Sequence, residues 1–153
     1  METTLAGIGQ ALMLLLGLAV FFALLFGGIL VVLRYTARKK EASARERYPT
    51  ARQISRASFF GQESRGVAQM RGNGTLILTD SDLIFEMWVP NTEFRIPLRS
   101  IQSLENPTSF LGKSRFTPLL KVVYTNAQGS TDAMAWQVPD LSGWMSQING
   151  ART

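Results

Sequence analysis

The sequence predicts an α+β protein: an N-terminal transmembrane helix, then an antiparallel β-barrel or sandwich of about seven strands capped by a C-terminal helix. Three observations lead there. Residues Ala11 to Leu33 form an unbroken apolar run of 23, followed at once by Arg34, Arg38, Lys39 and Lys40. Much of the chain between Gly74 and Val138 alternates apolar with polar residues, the period of a half-buried strand. After Pro139 the apolar spacing lengthens to that of a helix.

The apolar run comes first. At ~1.5 Å rise per residue it spans roughly 34 Å, enough for the ~30 Å hydrocarbon core of a bilayer. A soluble helix of that length would carry a polar stripe, and this one has none. A cleaved signal peptide is the rival reading. It calls for a basic start, an apolar stretch of about 7–15 residues and a small-residue cleavage site. Here the start carries Glu2 and no Lys or Arg, the run is longer, and Arg34-Tyr35-Thr36-Ala37-Arg38 is a poor cleavage site. The expectation is a retained single-pass anchor in the cell membrane. By the positive-inside rule its N-terminus lies outside and everything after Leu33 is cytoplasmic.

The next segment, 34–56, is a basic connector. It holds eight basic residues and two acidic ones, whereas residues 57–153 hold eight of each. The formal charge of +5 is therefore a property of the juxtamembrane segment, not of a nucleic-acid-reading surface. Ala37, Ala42 and Ala44 among charged residues give its first half helical character, and Pro49 is expected to end that helix.

Residues 57–150 are read as one small domain. Leu76 and Leu78, then Leu83, Phe85 and Met87, flank the turn Thr79-Asp80-Ser81-Asp82 and predict a β-hairpin. Phe94, Ile96 and Leu98 alternate with Arg95, Pro97 and Arg99, and Pro97 marks a strand end or an edge. Ile101 and Leu104 suggest a short strand. Leu120, Val122 and Tyr124 form another, and Asn126-Ala127-Gln128-Gly129 turns the chain into Met134, Trp136 and Val138. A weaker first strand is expected at 65–71. Leu141, Trp144, Met145 and Ile148 fall on one helical face that Asn149-Gly150 should end. Trp136 and Trp144 are expected in the core, since burying each ring removes ~150–250 Å² from water.

Chemistry is scarce. The chain has no Cys and no His, which removes disulfides, thiol chemistry, the commonest metal ligand and the commonest general base. No Walker loop, GxGxxG or HExxH is present, and the carboxylates are scattered singly. The expectation is no enzyme, no metal and no cofactor.

Gly74-Thr75-Leu76-Ile77-Leu78-Thr79, Leu83-Ile84-Phe85, Ile96-Pro97-Leu98-Arg99-Ser100-Ile101 and a closing helix with Trp144 resemble the pleckstrin-homology (PH) superfold, in particular bacterial PH-like and GRAM-type domains. The resemblance covers roughly residues 64–149. It implies a phosphoinositide or acidic-lipid site in the loop between the first two strands. Lipid-binding members place a Lys and paired Arg residues there, and this chain has Arg71 alone in its 70–74 loop.

Three sets of candidate residues follow. Arg34, Arg38, Lys39, Lys40, Arg45 and Arg47 of the connector, with Lys113 and Arg115 of a later loop, form a candidate lipid-facing set; juxtamembrane cations attract acidic headgroups at about 1 kcal/mol each. Trp88, at a hairpin tip, and Phe110, in the loop with Leu111 and Phe116, are candidate contacts for a protein partner. Ala19, Ala23 and Gly27, spaced four apart, let membrane helices approach closely, so the anchor's partner is another membrane protein or a second copy. For each set the plain alternative stands beside it: topology signals and solvated charges, a Trp capping the barrel, and the ordinary small-residue content of membrane helices. The functional expectation is a membrane-anchored, non-enzymatic module that binds a protein partner at the cytoplasmic face. Its alternative is a reader of acidic lipid headgroups using the connector and the 113–115 loop. No nucleic-acid partner is expected.

Overall fold

The structure is a computed structural model that describes residues 2–66, 71–114 and 116–152. The chain divides into two compact units, Met1–Lys39 and Lys40–Thr153.

Helix α1 (Glu2–Arg47) supplies the described residues of the first unit. From Leu12 to Tyr35 its large apolar side chains are all exposed. The helix is long and apolar enough to cross a membrane.

The second unit is built on strands β1 (Gln53–Gln62), β2 (Gly72–Leu78), β3 (Asp82–Met87), β4 (Thr92–Pro97) and β5 (Ile101–Glu105), then a two-residue pair, β6 (Ser109–Phe110) and β7 (Lys113–Ser114), and finally β8 (Leu120–Thr125), β9 (Thr131–Gln137) and helix α2 (Leu141–Arg152). Seven strands form one antiparallel sheet in the order β4-β3-β2-β1-β9-β8-β5. The sheet is open, with β4 and β5 at its edges, so the strands do not close a barrel. Pro97 stands at the end of edge strand β4, where its missing N–H leaves no ladder bond unmade.

The turns follow from their residues. Thr79 N donates to Asp82 O at 2.9 Å, and Asp82 N donates back to Thr79 Oγ1 at 3.0 Å. Gly129, at φ 80°, completes the β8–β9 turn, donating to Asn126 O at 3.0 Å. Asp140 caps α2 by accepting from Gly143 N at 3.0 Å. The helix runs through Asn149-Gly150 to Arg152, two residues past the expected stop; helix ends shift by that much because the last turn frays.

One face of the sheet packs with α2 around Phe59, Leu76, Leu83, Phe85, Val122, Trp136, Trp144 and Ile148. Trp136 and Trp144 are fully buried, as expected, and Trp144 Nε1 donates to Ser55 Oγ at 3.1 Å. Gly74 is required where β2 pairs with β3 opposite Met87, because a Cβ there would collide with the Glu86 carbonyl and the Phe85 ring.

Strand β1 was not expected at this position. Its alternation breaks at a bulge between Phe59 and Gly61, so Phe59, Phe60 and Gly61 are buried consecutively. Arg52 and Arg56 also made this stretch resemble a connector. The expected strand at 65–71 lies largely outside the described residues, at 67–70; a short 3-10 turn occupies 63–65 and β2 starts at Gly72.

Candidate functional site

Because residues alternate across a strand, the face opposite the main core has its own side chains to account for. Ile54, Ile77 and Ile84 are in direct register across β1, β2 and β3, and all three are buried. They are covered by the last two turns of α1 and the segment after it, through Ala44, Tyr48 and Ala51. Ala44 is 0% exposed. Around this apolar row, Arg47 makes a two-pronged contact with Glu86 at 2.7 and 2.6 Å, and Glu41 accepts from the backbone N–H of Arg56 at 3.2 Å. The isoleucines dominate the energetics: burying one contributes roughly 1.5–3 kcal/mol. The Arg47 side chain stays 54% exposed, which keeps its ion pair near ~1 kcal/mol or below.

The expected 34–56 connector is therefore not one tether. Residues 40–47 dock on the sheet, β1 starts at Gln53, and the domain begins at Lys40 rather than 57. Of the cationic set, Arg34, Arg38, Lys39, Lys40 and Arg45 are exposed, while Arg47 is committed to Glu86.

The other half of the same face is covered by the β6–β7 arm. Phe60, Leu119, Ala133 and Ala135 pack with Phe110, which is 8% exposed. Phe110 is thus a buried root of the arm and not a partner contact. The loop context suggested exposure, but a loop folded over an apolar sheet face buries its aromatic. Lys121 lies over its ring at 6.0 Å and pairs with Glu105 at 3.0 Å. Lys113 is half-buried, and Arg115 lies outside the described residues.

Trp88 is also turned inward. It is half-buried and its indole N–H donates to Thr75 Oγ1 at 3.0 Å. The exposed apolar residue of that turn is its neighbour Val89, at 80%. The β1–β2 connection is longer than expected and contributes Arg65 as well as Arg71. Their guanidinium groups lie over Phe94 at 5.5 Å and Phe60 at 4.5 Å. Ala19, Ala23 and Gly27 are exposed on α1, beside a shallow apolar notch lined by Leu24, Leu25, Gly28, Ile29, Val32 and Leu33.

One polar cluster was missed at the level of sequence. Asp132 is buried and accepts from Gln62 Nε2 (2.6 Å), Ser64 N (2.9 Å), Ser64 Oγ (2.7 Å), Tyr124 OH (3.2 Å) and Ala133 N (2.8 Å). Burial alone would raise its pKa, but the hydrogen bonds from Gln62, Ser64 and Ala133 outweigh that and hold it below the ordinary carboxylate value. Burial and the adjacent Asp132 charge push the Tyr124 hydroxyl well above its usual value. A carboxylate with this many donors is a knot tying β1, β8 and β9 together, chemically suited to staying ionised and not to proton transfer.

No protein-family model matches the chain, and no curated protein matches it. Among solved structures it is similar to the crystal structure of the C-terminal domain of an unknown protein from Leishmania infantum, with a TM-score of 0.54 and 14% identity, over 73% of this chain and 96% of that one. At that identity the similarity concerns the fold alone. Fold and site together define the class: an α+β chain with an open seven-stranded antiparallel sheet, a closing helix, and an N-terminal helix of membrane-spanning length.

Proposed function

We propose that this chain is a membrane-anchored, non-enzymatic interaction module. In this account α1 crosses the cell membrane once, with its N-terminus outside. A PH-like domain then stands at the cytoplasmic face, where it binds a protein partner. The observation that carries the proposal is the contrast in burial. Every large side chain of 12–35 is exposed, while among the described residues of 40–153 the large apolar residues are buried or half-buried except Val89 and Phe116. An uninterrupted apolar surface of that length is stable in lipid and not in water. The basic residues immediately after Leu33 support the orientation. The PH-like reading is supported by the antiparallel strands and the Trp-bearing closing helix, while the sheet is open where the reading expected a barrel or sandwich.

Docking of residues 40–47 also supports an address at the membrane. Six residues, 34–39, separate the apolar run from the domain, a reach of about 20 Å even if extended. A tether that short raises the effective concentration of any weak site for membrane-bound partners. With Trp88 folded inward, Val89 is the apolar residue available at the hairpin tip. The test is a photo-crosslinking residue at 89 in the full chain in native membranes, with 128 in the β8–β9 turn as control. A discrete protein adduct at 89 and not at 128 is expected. No adduct, or the same products from both, contradicts a protein partner at this tip.

A further inference from the structure

We infer that the β6–β7 arm is a second membrane contact, with Phe116 as the side chain that enters the lipid interface; this rests on α1 being a membrane anchor. Among the described residues of 40–153, Val89 and Phe116 are the large apolar residues left exposed, and Phe116 at 96% is the more extreme. Its exposure is built in. The arm is rooted by Phe110, with Leu111 packed beside it, in the cluster around Phe60 and Leu119. Above the root, Ser114 Oγ donates to Thr108 O at 2.9 Å and accepts from Phe116 N at 3.2 Å. On the far side, Gln137 Nε2 donates to Thr117 Oγ1 at 3.1 Å. Between these two fixings Phe116 takes φ 59°, the left-handed region that costs a side-chain-bearing residue energy. The strain is spent holding an aromatic ring in solvent, the opposite of what hydrophobicity favours.

The surroundings select lipid as the occupant. From Asn106 to Leu119 the sequence contains Lys113 and Arg115 and no acidic residue. Cations next in sequence to an exposed aromatic complement an acidic headgroup layer above hydrocarbon. A short tether already keeps this domain near such a surface. A second contact would fix which face of the domain looks at the membrane, leaving the Val89 turn for a protein.

The absence of Cys makes the test direct. Single variants Phe116→Cys, Val20→Cys and Gln128→Cys of the full chain carry an NBD fluorophore and are reconstituted into vesicles of phosphatidylcholine and phosphatidylglycerol in equal parts, with and without doxyl-labelled lipid. Circular dichroism confirms that each variant folds. The expected result is blue-shifted emission at 116, with quenching roughly threefold stronger than at 128 and weakened by Lys113→Gln. Quenching at 20 but none at 116 beyond that at 128 would overturn the inference while leaving the anchor standing. A blue shift at 116 without lipid quenching would overturn it in favour of a protein contact. No quenching at 20 would remove the anchor, and this inference with it.

Discussion

Helix α1 treats its two ends in opposite ways. Residues 12–33 are apolar and exposed, whereas residues 40–47, rich in charge, bury Ala44 completely against Ile54, Ile77 and Ile84. Composition alone would assign the burial the other way round. The difference teaches that burial is decided by which surface faces a segment. The apolar end meets no protein surface within its own unit and calls for a nonpolar solvent. The charged end carries one small residue at the position facing an isoleucine row, and its long side chains splay outward to salt bridges and water.

That comparison can be broken at either end. The largest effect is expected from Val20→Arg with Leu24→Arg, since each charge near the centre of a membrane helix costs about 2.5–3.5 kcal/mol on insertion scales. Alkaline carbonate extraction of membranes should then release the chain, while thermal unfolding of the sheet unit stays unchanged. Next comes Ala44→Leu, which overpacks the docking site. About 2 kcal/mol of stability should be lost, read by denaturant unfolding, with membrane retention intact. Arg47→Ala should cost about 1 kcal/mol or less in the same assay, because the pair is half in water. Arg52→Ala, which breaks an exposed pair with Asp80, should cost no more than ~0.5 kcal/mol and calibrates the floor.

The Asp132 knot supplies a pH axis that involves neither end of α1. Its folded-state pKa is depressed, so its contribution is complete above the unfolded value of about 3.9 and is lost as pH falls through the lower folded value. Tyr124 is raised, so its contribution is present below about pH 10 and is lost as pH climbs toward its folded value. Denaturant midpoints of the wild type should thus fall at acid pH. An Asp132→Asn variant should be less stable at neutrality, by about 2 kcal/mol, and should fall less steeply.

Much of the fold was legible because most strands keep a clean period of two: β2, β3, β4 and β8 each set apolar residues against a distinguishable other face, and α2 carries an unbroken helical stripe. Strand β1 was not legible, because one bulged residue, Phe60, destroys the alternation on which the reading depends. The sheet's second buried face was equally hidden. Ile77 lies between Thr75 and Thr79 on what reads as a solvent face, and the segment that covers it precedes the sheet across Pro49. The signal was nevertheless present, as Ala44 and Tyr48 at i and i+4 on a charged helix. The same blindness explains Trp88 and Phe110: turn and loop residues read as exposed, yet one donates into Thr75 and the other fills the space over Phe60. The Asp132 knot joins residues far apart in sequence and left no local pattern to read.

The central claim is that α1 crosses the membrane and leaves the sheet domain in the cytoplasm. The absence of cysteine again allows the direct measurement: labelling of Thr3→Cys and Gln128→Cys in intact cells with a membrane-impermeant maleimide. The account predicts labelling at 3 in intact cells and at 128 only after permeabilisation. Labelling at 128 in intact cells would contradict it.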